Sequence, residues 1–401
     1  MNARTFLVGI GSGLSAGYVA YRASQAWNEL RTPRRPMRPD PAAYGRHRRA
    51  LAVAAIVRST AATAAFAFGR GADRLDRLTA TPWVWLRPVT FTAVAQLADA
   101  LIELPVDFVE EYSLERRYGL SEQTREAWFA DRAKETLVST LVTSVLAGMF
   151  VAVLRRFPKT WPYLAGAGVL PLLLLVNVAV PLWIMPLFNR FEPLSGPLES
   201  RLRALAERYG CADADILRVD MSRQTKKANA YVTGIGRTHR IVAGDTLLER
   251  FPADEVEFVV AHELGHYVSR DSWRLIGVSQ VLALLLLSGA SLAVRKDVAE
   301  RPEHPRTLMR VFFWLSLLSQ LFRPAVCAFS RSREWAADRF AVTATNAPLT
   351  GAAAFGRLRD QNLAEPEQPA WYEFFFSTHP SLKARIDALE SAGPQKARAS
   401  G

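Results

Sequence analysis

The chain has 401 residues, of which 50% are hydrophobic and 22% are charged, and its formal net charge at pH 7 is +12. Its two cysteines, Cys211 and Cys327, are typical of a reducing compartment and exclude a disulfide framework. The hydrophobic residues are concentrated in long runs, most of which are long enough to cross a hydrocarbon layer. These properties predict an integral membrane protein that crosses the bilayer several times.

Seven hydrophobic segments are predicted to be membrane helices, five before residue 189 and two after residue 274. They are Phe6–Tyr21, Leu51–Phe68, Trp83–Val106, Leu137–Leu154, Trp161–Phe188, Leu275–Val294 and Leu308–Phe329. The first segment has a second interpretation as an uncleaved, signal-like anchor, because no small-residue cleavage site followed by a soluble domain is evident.

Arginines collect in the loop after the first segment and predict the orientation of the chain. They are Arg22, Arg31, Arg34, Arg35, Arg38, Arg46, Arg48 and Arg49. Only Glu29 and Asp40 oppose them, so this loop is expected to stay in the cytoplasm. Counting crossings then places residues 189–274 and the C-terminal tail on the same side. A nucleic-acid-binding interpretation is disfavoured, because the arginines adjoin membrane segments and lack interleaved aromatic residues.

Residues 189–274 form the longest hydrophilic segment. A helix is predicted over Leu198–Tyr209, ending at Gly210, and a short strand over Ile216–Met221. Two runs, Asn229–Thr233 and Arg240–Val242, predict a β-hairpin. A peptide substrate can pair with the free edge of such a strand.

The pentapeptide His262-Glu263-Leu264-Gly265-His266 follows the hairpin and predicts a zinc site. Two histidines four residues apart on a helix can hold one Zn²⁺, while Glu263 between them faces the open coordination position. Asp254 and Glu257 have the spacing of a capping box at the start of this helix. The pattern favours zinc-dependent hydrolysis.

The third ligand is predicted to be a carboxylate. A third histidine six residues past His266 would mark one class of zinc protease, but Ser272 and Ser269 occupy the diagnostic positions, which excludes that class. Glu334 and Asp338 share one face of a later helix, where one can bind the metal and the other can orient a ligand histidine. The open alternatives are an exposed acidic turn paired with Arg331 or Arg339, and Glu303 or Asp271 as the ligand.

Several further motifs occur in a recognisable order. They are Glu110-Glu111-Tyr112, Tyr118-Gly119-Leu120 with Gln123-Thr124, Pro186 to Phe191, Ser222-Arg223 through Asn229-Ala230-Tyr231, Ile241-Val242, Asp245 to Leu248, and His379-Pro380-Ser381. Together with the zinc motif, Glu334 and Asp338, they make most of the chain resemble the type I CAAX prenyl proteases, integral-membrane zinc metalloproteases. A broader kinship is to the bacterial heat-shock membrane zinc proteases, and the short loops and Ala/Arg-rich composition resemble a bacterial member. The resemblance implies a seven-helix membrane chamber capped by the zinc domain, and cleavage near the C-terminus of lipidated peptides.

The predicted site binds one Zn²⁺ per chain through His262, His266 and Glu334. Glu263 is predicted to take a proton from the activated water and to pass it to the leaving amine.

His379 lies at the position that the resemblance assigns to the site, and it is predicted to stabilise the oxyanion with help from Arg385. A surface turn before Pro380 is the alternative for His379.

Asn229, Ala230 and Tyr231 are predicted to hold the substrate. The alternative for Asn229 is simple turn formation.

Asp99, Glu103 and Asp107 recur every four residues and form an acidic stripe on the third predicted span. Ionised groups facing lipid would cost several kcal/mol, so these residues are expected to face water or basic partners, with Arg58 and Arg323 as candidates. Two interpretations remain, a hydrated chamber or a polar contact between helices, and the family resemblance favours the chamber.

The fold class is mainly α: a polytopic membrane protein with about seven transmembrane helices and a cytoplasmic zinc-protease domain that contains a small β-hairpin or sheet. The predicted divisions are membrane helices in 1–188, a soluble zinc segment in 189–274, two membrane helices in 275–329, the rest of the zinc domain in 330–390, and a disordered tail in 391–401.

The predicted function is that of a zinc metalloendopeptidase in a bacterial cell membrane, acting on peptide or protein substrates with or without a lipid and surrounded by membrane lipids. A quality-control protease for membrane proteins is the alternative. A transporter is disfavoured because the spans lack paired broken helices in matching halves, and a silent scaffold because no ligand or base is missing.

Overall fold

A computed structural model describes residues 3–31, 37, 39–234 and 238–393, and these ranges form fifteen α-helices and four β-strands. In chain order the first group of helices is α1 (Ala3–Arg31), α2 (Pro41–Phe68), α3 (Gly71–Leu78), α4 (Arg87–Asp107), α5 (Leu114–Arg117), α6 (Arg125–Arg156) and α7 (Trp161–Ala179). The elements that follow are β1 (Phe191–Pro193), α8 (Pro197–Arg208), β2 (Asp215–Val219), β3 (Ala230–Thr233), β4 (Arg240–Gly244), α9 (Asp245–Leu248) and α10 (Ala253–Val268). The last group is α11 (Asp271–Glu300), α12 (Pro305–Thr345), α13 (Pro348–Gln361), α14 (Ala370–Phe376) and α15 (Leu382–Ala392).

Within the described ranges, six helical stretches are long and apolar enough to cross a membrane. They are Pro41–Phe68, Arg87–Arg117, Arg125–Arg156, Trp161–Leu187, Asp271–Glu300 and Pro305–Thr345. The architecture of a mainly helical, multi-pass membrane protein with a small sheet is therefore confirmed. The first predicted span lies in α1, which is not one of the six, and its membrane crossing stays a prediction.

Two of the spans continue past a proline through wider helical turns. Pro105 lies inside α4, and the helix continues through the π-helical segment Phe108–Ser113. Pro181 lies in a second π-helical segment, Val180–Ile184, which follows α7. Proline removes a backbone N–H donor from the i→i−4 ladder, which accounts for these irregular turns at the ends of both helices.

The sheet has the strand order β1-β2-β4-β3. The predicted hairpin is confirmed, because β3 and β4 pair antiparallel with Ala230 opposite Ala243, although its turn residues 235–237 lie outside the described part of the chain. β2 pairs parallel with β4. β3 therefore occupies a sheet edge and contacts α10. The core around this sheet is built from α8, α10 and α13, with Leu202, Phe258 and Phe355 buried at its centre.

α12 runs from the membrane region to Glu334 and Asp338 in one continuous helix of 41 residues. Its length is about 60 Å at the ordinary helical rise. The division predicted between residues 329 and 330 falls inside this helix. α10 packs closely against it, since a Cβ added to Gly265 would lie 3.0 Å from the Cα of Ala337. The absence of a side chain at Gly265 therefore allows the histidines of α10 to approach the carboxylates of α12.

The predicted capping box at the start of α10 is wrong. The helix begins at Ala253, so Pro252 is the N-cap residue, and no side chain there caps the helix by a hydrogen bond. Asp254 instead lies in the first turn, where a negative charge is favourable, and Glu257 forms an ion pair with Arg201. At the other end of the chain, α15 extends to Ala392, and residues 394–401 of the predicted tail lie outside the described residues.

The acidic stripe borders a cavity of about 450 Å³ between α2, α4 and α6. Glu103 pairs with Arg58 at 2.8 Å, as one of the two candidate partners predicted, and Asp107 pairs with Arg132. The other candidate, Arg323, is not a partner of the stripe; its guanidinium lies 5.1 Å from the ring centroid of Phe376. The stripe thus combines ion pairs between helices with an open space.

Candidate metal centre

The two histidines of the pentapeptide lie one turn apart on α10, with ring centroids 5.0 Å apart and ring planes at 90°. Each uses its Nδ1 atom to contact a carboxylate. His262 Nδ1 lies 2.9 Å from Asp338 Oδ1, and His266 Nδ1 lies 2.9 Å from Asp271 Oδ2. With both Nδ1 atoms engaged, both Nε2 atoms are available to one shared ligand.

Both Nε2 atoms point toward the carboxylate of Glu334. Its two carboxylate oxygens are each 3.4 Å from one Nε2 atom, Oε2 from His262 and Oε1 from His266. Charge-assisted hydrogen bonds between such groups are usually about 2.7–2.9 Å long, so 3.4 Å is long for direct bonding. Ligand atoms around a tetrahedral zinc at about 2.0–2.1 Å are separated by roughly 3.3–3.4 Å, which matches the observed spacing.

The buried environment of Glu334 supports a cation at this point. Its Oε2 atom is buried without a hydrogen-bond partner, and the Arg385 Nη1 atom lies 3.4 Å away. A buried carboxylate oxygen without a partner is costly unless a cation compensates it. Potential ligand atoms of His262, His266 and Glu334 all lie within 4.8 Å of one another. This His/His/Glu donor set fits zinc.

Each imidazole is held by its own carboxylate and arginine. For His262, Asp338 accepts hydrogen bonds from Arg385 Nε at 2.8 Å and from Nη2 at 2.6 Å. The guanidinium of Arg385 lies 4.1 Å from the ring centroid of Phe355. Asp338 and Arg385 are both buried, so their ion pair is shielded from water.

For His266, the corresponding pair is Asp271 and Arg333. Arg333 Nε donates to Asp271 Oδ1 at 2.6 Å, and Arg274 Nη1 lies 3.6 Å from the same oxygen. Asp271 was considered from the sequence only as a rival metal ligand, and its contact with His266 was missed. Arg270, with φ of 54°, separates α10 from α11 and immediately precedes Asp271, the first residue of α11. A left-handed residue at this junction is a tertiary feature that helical periodicity does not reveal.

The local charges favour positive charge at the imidazoles. Burial by itself lowers the pKa of His262, but the hydrogen bond to Asp338 and the nearby Glu334 carboxylate raise it to about 9. Burial raises the pKa of Glu263, and the charges of His262 and His266 oppose that rise. The same negative field that stabilises a proton on an imidazole also attracts a divalent cation.

A cleft of about 540 Å³ opens over these residues. His379 lines it with Nε2 3.3 Å from Glu334 Oε1, and its side chain is 63% exposed. Asn229 and Ala230 also line the cleft, at the start of β3. Tyr231 is not among the lining residues, because its hydroxyl group contacts Met185 Sδ at 3.7 Å. The structure therefore brings together every predicted site residue except Tyr231.

Comparisons with known proteins agree with this geometry. Residues 194–392 match the sequence profile of Peptidase family M48, and residues 40–190 match the CAAX prenyl protease N-terminal region, described as five membrane helices. A metalloprotease named YhfN from Bacillus subtilis is 30% identical over 329 residues, covering 78% of this chain and 75% of the relative. The chain belongs to peptidase family M48.

Other M48 relatives carry the name CAAX prenyl protease 1. The protein from Saccharomyces cerevisiae is 25% identical over 76% of this chain and 72% of the relative. A homologue from Oryza sativa is 28% identical over 79% of this chain and 80% of the relative. The crystal structure of S. mikatae Ste24p has the same fold, with a TM-score of 0.76, 20% identity, and coverage of 97% of this chain and 99% of the other. The predicted family and the predicted activity of a membrane metallopeptidase are thus confirmed.

Proposed function

We propose that this M48 metallopeptidase uses one zinc ion, held by His262, His266 and Glu334, to hydrolyse internal peptide bonds of membrane-associated substrates. The observation that carries the proposal is the placement of both imidazole Nε2 atoms 3.4 Å from Glu334, while both Nδ1 atoms are occupied by separate carboxylates. When bound, Zn²⁺ supplies Lewis acidity toward a water molecule and the scissile carbonyl group.

Glu263 moves the proton in this scheme. Its position between the two histidines places it on the cleft side of α10, where it lines the cavity. Its raised pKa makes the carboxylate a stronger base than a solvent-exposed glutamate. Glu263 accepts a proton from the attacking water and delivers it to the nitrogen of the leaving amine.

His379 stabilises the negative charge that develops on the carbonyl oxygen. The imidazole is exposed at the cleft, which residues 377–381 line. From the sequence, Arg385 is predicted to help stabilise the oxyanion directly. In the structure its guanidinium instead donates hydrogen bonds to Asp338. We assign Arg385 and Asp338 to the positioning of His262.

The substrate binds as an extended segment along β3. This strand lies at a sheet edge beside α10, and Asn229 and Ala230 at its start line the cleft. An edge strand can hydrogen-bond an added peptide strand through its backbone, which suits a protease that accepts varied side chains. The relatives named CAAX prenyl protease 1 support peptides cleaved near a lipidated C-terminus as a substrate class.

The metal domain faces the cytoplasm in this proposal. The arginines that follow the first predicted span support that orientation by the positive-inside rule. The test is a set of reporter fusions at Gly401, after the last predicted crossing. A reporter that functions only in the cytoplasm should be active there, and activity of a periplasm-type reporter at the same position contradicts the orientation.

The central experiment separates metal binding from proton transfer. His262→Ala, His266→Ala and Glu334→Ala should each lose zinc, measured by elemental analysis of folded protein. Glu263→Gln should retain zinc and lower peptide turnover by at least about two orders of magnitude. Glu257→Gln, on the same helix but paired with Arg201 away from the cleft, is the matched control and should keep both. Full zinc occupancy in all three ligand variants contradicts the ligand set, and normal turnover in Glu263→Gln contradicts its role.

A further inference from the structure

Helix α14 has an unusual aromatic composition and two distinct aromatic faces. Trp371, Phe374 and Phe375 have the i, i+3, i+4 spacing of one helical face and are 52%, 52% and 43% exposed. Tyr372 and Phe376 lie on another face, stack with centroids 5.1 Å apart, and line the metal cleft. We call Trp371, Phe374 and Phe375 the aromatic face. A contiguous exposed apolar patch of this kind marks a binding surface.

The depth of α14 follows from its contacts with α12. The Cys327 thiol lies 3.6 Å from the Phe375 carbonyl oxygen, and Arg323 lies over the ring of Phe376. Arg323 and Cys327 both belong to the apolar run Leu308–Phe329. α14 therefore packs against the part of α12 that lies in or at the edge of the membrane.

The polar groups of α14 fit an interfacial position. Arg331 Nη1 donates hydrogen bonds of 2.8 Å to the carbonyl oxygens of Glu373 and Ser377 at the end of the helix. Carbonyl groups near hydrocarbon need such partners, because water is scarce there. Leu321 of α12, in the same apolar run, is 72% exposed.

We propose that the aromatic face of α14 inserts into the membrane leaflet on the side of the metal site. Aromatic side chains partition to the interface between hydrocarbon and water, and a helix at this depth would present all three rings to lipid. The residues that follow, Ser377 to Ser381, carry His379 and form the rim of the cleft. Lipid contact by α14 thus fixes one wall of the cleft at the bilayer surface.

The test is the accessibility of a nitroxide at Phe374→Cys in the full chain, reconstituted in phosphatidylcholine vesicles. Cys211→Ala and Cys327→Ser remove the two native thiols, both of which are buried. Power-saturation EPR then compares collisions with lipid-soluble oxygen and with a water-soluble nickel chelate. The matched control is Leu349→Cys on α13, which is 54% exposed and belongs to the helix that packs on α10 and α15 of the metal domain.

We expect an oxygen-to-nickel collision ratio several-fold higher at position 374 than at position 349. Equal ratios would place the aromatic face in water and overturn the proposal. Low collision rates with both reagents would show that protein covers it, either a partner or a second copy of the chain, and would overturn the proposal as well.

A second measurement avoids cysteine substitution. Trp371 is one of 10 tryptophans, so its emission is obtained as the difference between the wild-type chain and Trp371→Phe. Lipids with brominated acyl chains should quench this difference emission, and an unquenched difference contradicts lipid contact. Neither measurement uses peptide cleavage, so failure of the lipid contact leaves the proposed peptidase activity separately testable.

Discussion

Replacing Asp338 or Asp271 by asparagine should separate two functions that each carboxylate combines: holding a ligand histidine and neutralising an arginine. Both variants keep the side-chain volume but lose the negative charge. Each removes the charged acceptor 2.9 Å from one Nδ1 atom. Loss of such a partner lowers metal affinity by about 10–100-fold, or about 1.4–2.7 kcal/mol. We expect this decrease in zinc affinity for both variants.

The free energies of unfolding should differ between the two. In Asp338→Asn, the guanidinium of Arg385 loses its closest partner where its side chain is only 7% exposed and keeps only Glu334, 3.4 Å away, which should cost about 3 kcal/mol. In Asp271→Asn, the partner Arg333 has a side chain 20% exposed and Arg274 has one 52% exposed, so water can solvate both cations. The expected cost there is about 1 kcal/mol or less.

The assay is competition of zinc with a calibrated chelator, combined with denaturant unfolding of the chelator-treated protein in detergent. Removing the metal before unfolding prevents zinc affinity from contributing to the measured stability. Asp387→Asn on the exposed side of α15 is the control, because its partner Lys383 is half exposed. Unchanged zinc affinity in Asp271→Asn would refute its role at His266. Equal unfolding free energies for the two variants would refute the argument from burial.

Three other predictions address the packing and the membrane cavity. Gly265→Ala should lower stability by about 1–3 kcal/mol and reduce zinc content, because the new Cβ would lie 3.0 Å from Ala337 Cα. A melting temperature and zinc content equal to those of the wild type would contradict this prediction. Asp99→Cys should react with small water-soluble thiol reagents in the folded protein if the cavity of about 450 Å³ contains water, whereas an inert thiol would contradict a hydrated space. Glu103→Ala should lower stability by about 3–5 kcal/mol, measured by unfolding in detergent, because the mostly buried Arg58 loses its partner. A Glu103→Gln variant that is as unstable as Glu103→Ala would assign the effect to the lost charge. Wild-type stability in both variants would contradict the prediction.

Local periodicity was sufficient to predict the metal-binding helices. His262 and His266 share one face of α10, and the four-residue spacing of Glu334 and Asp338 places both on one face of α12. The spacing also indicated a division of labour, in which one carboxylate binds the metal and the other orients a histidine, without deciding which carboxylate does which. What it could not predict is which imidazole Asp338 contacts, because that depends on the crossing of α10 and α12.

Features that depend on chain reversals and long-range pairing were not predictable in this way. The parallel pairing of β2 with β4 joins strands separated by β3, and nothing in either strand specifies that register. The contact between Asp271 and His266 needs the left-handed conformation of Arg270. The partner of Asp107, Arg132, lies on a different helix, and helical spacing within one span says nothing about its neighbours.

The continuity of α12 sets the distance between the metal site and the membrane. The apolar run ends at Phe329, and Glu334 follows five residues later, which corresponds to about 7–8 Å along a helix. An extended peptide covers that distance in two to three residues, at about 3.3 Å per residue. Because a helix is stiff, Glu334, the proposed third ligand, is positioned by the same packing against α2 and α11 that holds the span in place. Under the proposed function, a cleft so placed favours peptide bonds a few residues from the bilayer, and the packing of the membrane helices becomes part of the geometry that would hold the metal.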